Sequence, residues 1–409
     1  MLEIENPRDT LDHCVKCNIC TTACPVAAVT PLFPGPKYVG PQAERYRNES
    51  DNGSMPSPDH SLDYCSGCGI CTQVCPQGVK IAEINTKARA QMVGGKLSLR
   101  NQLIARPDLL GMLGTPLAPL ANFTLSFEPS RRMIEAVLGI HQDAVLPPFA
   151  GRTFQSWAKT HQSPAAERTV VYFHGCSTNY YEPPLGELTV KVLEHNGVRV
   201  IVPPGQLCCG LPLQSNGDFE SARVAARRLI AIFLPYAEQG YDIIATSTSC
   251  GLMLKREYRE VLSLDQPEFK TVSHRMWDIC EYLLHLYDEG ALKTDFKPVN
   301  LTVPYHAPCQ QRGHGIGKPA LDLFALIPGL KVVEMTADCC GIAGTYGLKK
   351  EKYQIAMDVG RRLFTDIKAA NPDIVACDSE TCRWQIEHGT GLHAVHPVQI
   401  LAQAYGLTS

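Results

Sequence analysis

CVKCNICTTACP (14–25) and CSGCGICTQVCP (65–76) are the stretches from which the rest of the chain can be read. Both follow C-x2-C-x2-C-x3-C-P, giving Cys14, Cys17, Cys20 and Cys24, then Cys65, Cys68, Cys71 and Cys75. Three thiolates so spaced wrap a tight loop around one [4Fe–4S] cube, and the fourth, followed by proline, reaches the other cube. The spacing predicts one [4Fe–4S] site on Cys14, Cys17, Cys20 and Cys75, and a second on Cys65, Cys68, Cys71 and Cys24. Structural zinc more commonly pairs two CxxC units. Disulfides go with export, and the opening MLEIENPRDT has neither a basic n-region nor an apolar h-region. An intracellular, metal-rich protein is expected.

Outward from these motifs, the chain has 409 residues, 18 of them cysteine, and a net charge of −3. A disulfide scaffold with this many cysteines is normally far shorter. At 44 % hydrophobic and 19 % charged residues, the chain has material for sizeable cores. Its length suits two or three domains at ~150 residues each. The charge excludes a polyanion binder, so no nucleic-acid partner is expected. Pro25 to Tyr64 is rich in proline and glycine and predicts an irregular inserted loop, with the polar stretch ESDNGSMPSPDH (49–60) inside it. IAEINTKARAQM (81–92) predicts a short helix that closes the unit.

The second half repeats itself. VVYFHGC (170–176), VPPGQLCCGLPL (202–213) and DIIATSTSC (242–250) return as LTVPYHAPC (301–309), TADCCGIAGTYG (336–347) and DIVACDSETC (373–382), with matching cysteines 131 to 133 residues apart. Each copy offers a lone Cys, a Cys-Cys-Gly and a terminal Cys. These are Cys176, Cys208, Cys209 and Cys250, then Cys309, Cys339, Cys340 and Cys382. Short β-rich runs alternate with helical periodicities at 185–197, 219–237, 320–329 and 351–370. That order predicts a parallel sheet per copy, covered by helices, with the cysteines beyond the carboxyl ends of its strands. Adjacent cysteines suit an iron–sulfur site better than tetrahedral zinc, and Gly210 and Gly341 let backbone approach the sulfides. Buried or redox-active thiols are the competing reading. Cys280, in WDICEYLLHLY (277–287), reads as a core residue.

The fold class is thus multidomain, α+β and α/β. A two-cluster ferredoxin-type unit (1–90, inserted loop 25–64) precedes a basic and apolar linker (91–165) and two cysteine-rich modules (166–290 and 291–409). Residues 85–161 hold nine Lys or Arg against four Asp or Glu. They flank an uncharged run, Leu109–Phe127, that is too rich in proline for a membrane span. Docking of this segment on an anionic membrane surface and packing against a partner protein are both open. No G-x-G-x-x-G or Walker signature is present, so no nucleotide or flavin site is expected on this chain.

FHGC-x-x-NY (173–180), CCGLPL-x-x-NG (208–217), YHAPC (305–309), CCGIAGTYG (339–347) and CDSETCRWQIE (377–387) resemble the paired cysteine-rich domains of the heterodisulfide-reductase type. Within that group, PGPK-x-x-GP (34–41) and TPLAPLANF (115–123) extend the resemblance to the iron–sulfur C subunits of anaerobic glycerol-3-phosphate dehydrogenases. The resemblance implies a peripheral subunit on the cytoplasmic side of the inner membrane, serving anaerobic respiration. Electrons would come from a flavoprotein partner carrying FAD or FMN, pass through the two ferredoxin clusters and one or two further module clusters, and reach menaquinone. It departs at one point. The parent pattern ends in CxxC, whereas here Ser247 and Ser379 stand three before the terminal Cys, with Cys377 two residues earlier than Ser379. Each module then offers four motif thiolates rather than five, and disulfide reduction is not carried over.

His174 and His306 hold matching places before the lone cysteines, where an imidazole could exchange protons with a quinone near neutral pH. Strand-end histidines bonded to backbone would read the same. Two other functions fit the layout: an iron–sulfur subunit of glycolate or lactate oxidation, and a scaffold that uses clusters as staples.

Overall fold

In the computed structural model, which describes residues 6–48 and 60–408, the cysteine-rich N-terminus builds little regular structure. Single turns at Ile19–Thr22 and Ile70–Gln73 carry Cys20 and Cys71. Helix α1 (Ile81–Val93) closes the unit and runs past the boundary expected at residue 90. Its buried Arg89 donates to the carbonyls of Leu62, Cys65 and Ser215, tying the second motif to the first module. The inserted loop is less irregular than expected. Tyr38–Gln42 and Ala43–Asn48 are helical and pack near α1, where Arg47 bonds Glu44 and the Val39 carbonyl, both at 3.0 Å. Apart from His60, the polar stretch 49–60 lies outside the described residues.

The linker is helical, broken at its prolines. Pro107 opens α2 (Pro107–Gly114), Pro119 lies in the first turn of α3 (Ala118–Ser126), and Pro129 in that of α4 (Glu128–Leu138). At these positions a missing N–H costs nothing. Among the described residues no helix is long and apolar enough to cross a membrane.

The first module follows as β1 (Arg168–Phe173), α5 (Pro183–His195), β2 (Val198–Ile201), α6 (Phe219–Glu238), β3 (Asp242–Ala245), α7 (Thr248–Leu252), β4 (Met276–Asp278) and α8 (Ile279–Asp288). The second repeats it as β5 (Thr302–His306), α9 (Cys309–His314), α10 (Pro319–Ala325), β6 (Lys331–Glu334), α11 (Tyr353–Ala369), β7 (Val375–Cys377), α12 (Glu380–Thr390), β8 (Ala394–Val395) and α13 (Pro397–Tyr405). All strand pairs are parallel, in the orders β2-β1-β3-β4 and β6-β5-β7-β8. The repeated parallel sheets and their flanking helices are those the sequence predicts. The fourth strands are not: each is only two or three residues long, below what alternation can signal.

The modules also exchange helices. α8, which follows the first sheet, packs against α10 of the second module, and α13, which ends the second, packs against α5 of the first. One buried core therefore holds Val170, Tyr172 and Ile244 with Val303, Tyr305 and Ala376. The carboxyl ends of both sheets face each other across α7 and α9. There His314 Nε2 lies 2.7 Å from the Thr248 carbonyl, and Arg256 donates to the Gly313 carbonyl at 2.7 Å. Gly251 and Gly313 permit the approach, since a Cβ at either would meet the His314 ring or the Leu252 side chain within 3 Å.

Candidate metal centre

The ferredoxin-type thiols fall into two crossed sets. The thiol neighbours of Cys20 are Cys17, Cys75 and Cys14, whereas those of Cys71 are Cys68, Cys65 and Cys24. Each motif thus sends its fourth cysteine to the other. Positive φ at Lys16, Gly67 and Gly69 lets the loops curl this tightly. Burial pushes the Cys24 thiol up to about 11, the cost of a thiolate here without a metal to share its charge.

In the modules every motif cysteine lies just past a strand. Cys176 follows β1, Cys208 and Cys209 follow β2, and Cys250 sits on α7 after β3; Cys309, Cys339, Cys340 and Cys382 repeat this after β5, β6 and β7. Cys176 Sγ is 3.9 Å from Cys208 Sγ, and Cys209 neighbours Cys250. In the second module Cys340 Sγ is 3.0 Å from Cys382 Sγ, Cys309 neighbours Cys339, and the Gly341 N–H donates to Cys339 Sγ at 3.3 Å. Gly341 has φ +93°, and a Cβ there would run into the Ala356 backbone of α11, so only glycine brings this N–H to the sulfur.

All eight module thiols and Cys68 line one cavity of about 190 Å³ between the modules. Soft sulfur donors gathered in fours, with backbone N–H aimed at sulfur, fit iron–sulfur binding and not a hard cation. Ser247 and Ser379 start the helices that carry Cys250 and Cys382. Ser247 Oγ accepts from the Cys250 N–H at 3.4 Å, and Ser379 Oγ lies 3.4 Å from Thr381 Oγ1. Cys377, fully buried at the end of β7, touches Cys382 through sulfur. In the second module a fifth thiol therefore reaches the set from a position the CxxC pattern does not mark.

Residues 10–79 match the family model described as a 4Fe-4S dicluster domain, and residues 170–255 and 303–387 match the cysteine-rich domain. The chain is 39 % identical over 399 residues to the C subunit of the anaerobic glycerol-3-phosphate dehydrogenase of Escherichia coli K12, covering 97 % of this chain and 98 % of that one. It belongs to the family of anaerobic glycerol-3-phosphate dehydrogenase C subunits. At 24 % identity it also resembles the D subunit of the dihydromethanophenazine:CoB–CoM heterodisulfide reductase of Methanosarcina barkeri, covering 98 % of this chain and 95 % of that one. A crystal structure of a hypothetical protein from Helicobacter pylori shares the fold, with TM-score 0.53 and 12 % identity over 98 % of this chain and 73 % of that one.

In this member of the dehydrogenase family both marked histidines are buried. Burial pushes His174 down to about 4, and its Nδ1 lies 2.7 Å from the Gly175 carbonyl. His306 is fully buried with its ring beside the Cys382 thiol. Neither lines the thiol cavity. Four carboxyls that sequence reasoning passed over do line it, Glu83, Glu257, Glu260 and Glu380; burial raises Glu257 to about 7 and raises Glu380 as well.

A second cavity, of about 630 Å³, adjoins the first. Its walls come from α2, α3 and α4 through Leu110, Leu120 and Ile134 and from the turn before α3 through Leu117, and its inner end from Cys176, Glu380, Thr381 and Trp384. Nothing in the sequence marked it, because its lining is drawn from the linker and both modules.

Proposed function

We propose that this chain is the electron-relay subunit between a flavoprotein partner that oxidises sn-glycerol 3-phosphate and the menaquinone pool at the cytoplasmic face of the inner membrane. The observation that carries the reading is the succession of thiol sets. Cys17, exposed, stands at one end with Cys14, Cys20 and Cys75. The set of Cys65, Cys68, Cys71 and Cys24 comes next, with Cys68 and Cys24 both neighbouring Cys339. The second-module set and then the first-module set share the central cavity, and Cys176 alone of the eight also lines the apolar cavity.

Iron–sulfur clusters supply one-electron storage and release when bound. The residues of the chain do the rest. The thiols fix the positions of neighbouring sites and the surrounding core keeps water out. The Gly341 N–H and the His306 ring lie against sulfur, where they can stabilise added negative charge. His306 is thus a positioning residue for Cys382, while a proton role for His174 would require it to be reached from the cavity.

The linker provides the membrane contact in this reading. Leu113, Leu117, Leu120 and Phe123 are 60–64 % exposed, and Arg106 and Arg132, paired with Asp218 and Glu128, flank them. Such a face lies in the interface plane and does not span it. The electron-relay reading is tested on anaerobically purified chain by counting iron and acid-labile sulfide and titrating the visible absorption. About sixteen irons would mean that all four thiol sets load, and about eight that only the ferredoxin-type pair does, at ~4 per site. Iron-free protein that still couples glycerol phosphate oxidation to quinone reduction would end the proposal.

A further inference from the structure

We propose that the 630 Å³ cavity behind α2–α4 is the binding chamber for an isoprenoid quinone, its ring at the inner end by Glu380 and Thr381 and its tail along the linker helices. The inference rests on the electron-relay reading and adds the place where the acceptor sits.

Three observations converge on that occupant. The chamber is lined by Leu, Ile, Val, Pro and Phe side chains over most of its wall, and its size is that of a cavity for a medium-sized organic ligand. Four of its polar groups, Cys176, Thr345, Glu380 and Thr381, line the thiol cavity as well and mark the end the two share, while Thr124 lies on the α3 wall. A molecule that exchanges electrons with a site held by Cys176 needs this contiguity, whereas a structural lipid gains nothing from it. The third concerns entry. Leu113, Leu117 and Leu120 line the chamber yet are 60–64 % exposed, so the same thin wall of side chains is its outer surface and the apolar face of the linker. This wall is where apolar surface and chamber meet, and it gives a lipid-soluble ligand a way in from a membrane interface.

The test is equilibrium dialysis of a naphthoquinone with a short isoprenoid tail against anaerobically purified full chain carrying its iron. Saturable binding is expected for the wild type. Ala121→Trp on α3 and Leu138→Trp on α4 fill the chamber from different walls, and each should weaken binding about tenfold or more (~1.4 kcal/mol per tenfold). Iron content should be unchanged, and Val224→Trp, on the exposed face of α6, should bind as wild type. Unchanged affinity in both filling variants overturns the proposal. So does displacement of the naphthoquinone by phospholipid at equal affinity, which would make the chamber a lipid site. The two readings fail differently. If the naphthoquinone oxidises the pre-reduced iron–sulfur absorption of both filling variants as fast as that of wild type, the relay stands and the chamber is wrong. If it leaves wild type reduced, the quinone-linked relay itself is wrong.

Discussion

Ser247 Oγ donates a hydrogen bond to Glu380 Oε1 at 3.1 Å across the interface between the two modules. Ser247 stands where a CxxC ending would place a further thiolate, and its hydroxyl is already engaged on both sides by Glu380 and the Cys250 N–H. Ser247→Ala should leave the buried carboxyl short of a donor. The expected loss is about 1–3 kcal/mol of stability in anaerobic chemical denaturation, with iron content unchanged. A fall in iron would instead make Ser247 a ligand.

The crossed thiol sets make a separable prediction. Cys24→Ser should remove the site of Cys65, Cys68 and Cys71, and Cys75→Ser that of Cys14, Cys17 and Cys20. Each should lower bound iron by about four atoms and abolish a different paramagnetic resonance signal. Cys24→Ser should therefore leave the same residual spectrum as Cys68→Ser, and Cys75→Ser the same as Cys17→Ser; the opposite matching would contradict the crossing.

Arg383, its side chain 3 % exposed, is paired with Glu182 of the first module, which also accepts from Trp384 Nε1 at 2.9 Å. Glu182→Ala takes the ion-pair partner from a buried guanidinium at the module interface, leaving it the Cys377 carbonyl at 3.1 Å and the Glu380 charge. A loss of about 3 kcal/mol is expected in denaturant unfolding, because an uncompensated buried charge costs more than its pair contributes.

Lys349 predicts a pH dependence. Burial, with the Lys352 charge beside it, lowers its ammonium from 10.5 to about 7, and it donates to Asn216 Oδ1 at 2.9 Å. The unfolded chain keeps the proton up to about 10.5 and the folded chain releases it near 7. Between these values the unfolded state binds more protons, so stability rises with pH at up to ~1.4 kcal/mol per unit. Below 7 the penalty is fully present. Lys349→Met should flatten the rise in melting temperature across that window, measured against wild type in the same buffers.

The linker face is tested on vesicles. Leu117→Asp together with Phe123→Ser should release the chain from anionic liposomes in a sedimentation assay, each lost apolar side chain costing about 1.5–3 kcal/mol of burial. Bound iron should not change. Retention on vesicles would assign the face to a protein partner.

Much of the candidate site was legible because its chemistry is local. C-x2-C-x2-C-x3-C-P imposes a chelating loop whatever surrounds it, and a constellation repeated at constant spacing has no other ready explanation. The modules' parallel sheets followed from strand and helix periodicities of ordinary length. The cysteine outside the expected pattern, Cys377, was visible only as a misplaced residue, and β-strand geometry carries its thiol to Cys382. The helical part of the inserted loop was missed because Glu44, Arg47 and Val39 act through contacts that proline and glycine density conceals. His174 and His306 were marked by position alone, and burial sets what each can do.

The sequence by itself determined that this chain holds sulfur-ligated metal, where the thiols lie, and that two similar α/β modules carry half of them. Tertiary structure alone decided that the modules trade α8 and α13, that the eight module thiols and Cys68 open on a single space, and that an apolar chamber ends at Cys176 and Glu380. The physical reason is range. Chelate spacing and hydrophobic period act over a few residues, whereas a shared cavity is a property of surfaces more than a hundred residues apart, fixed only when both sheets and their exchanged helices bury one core.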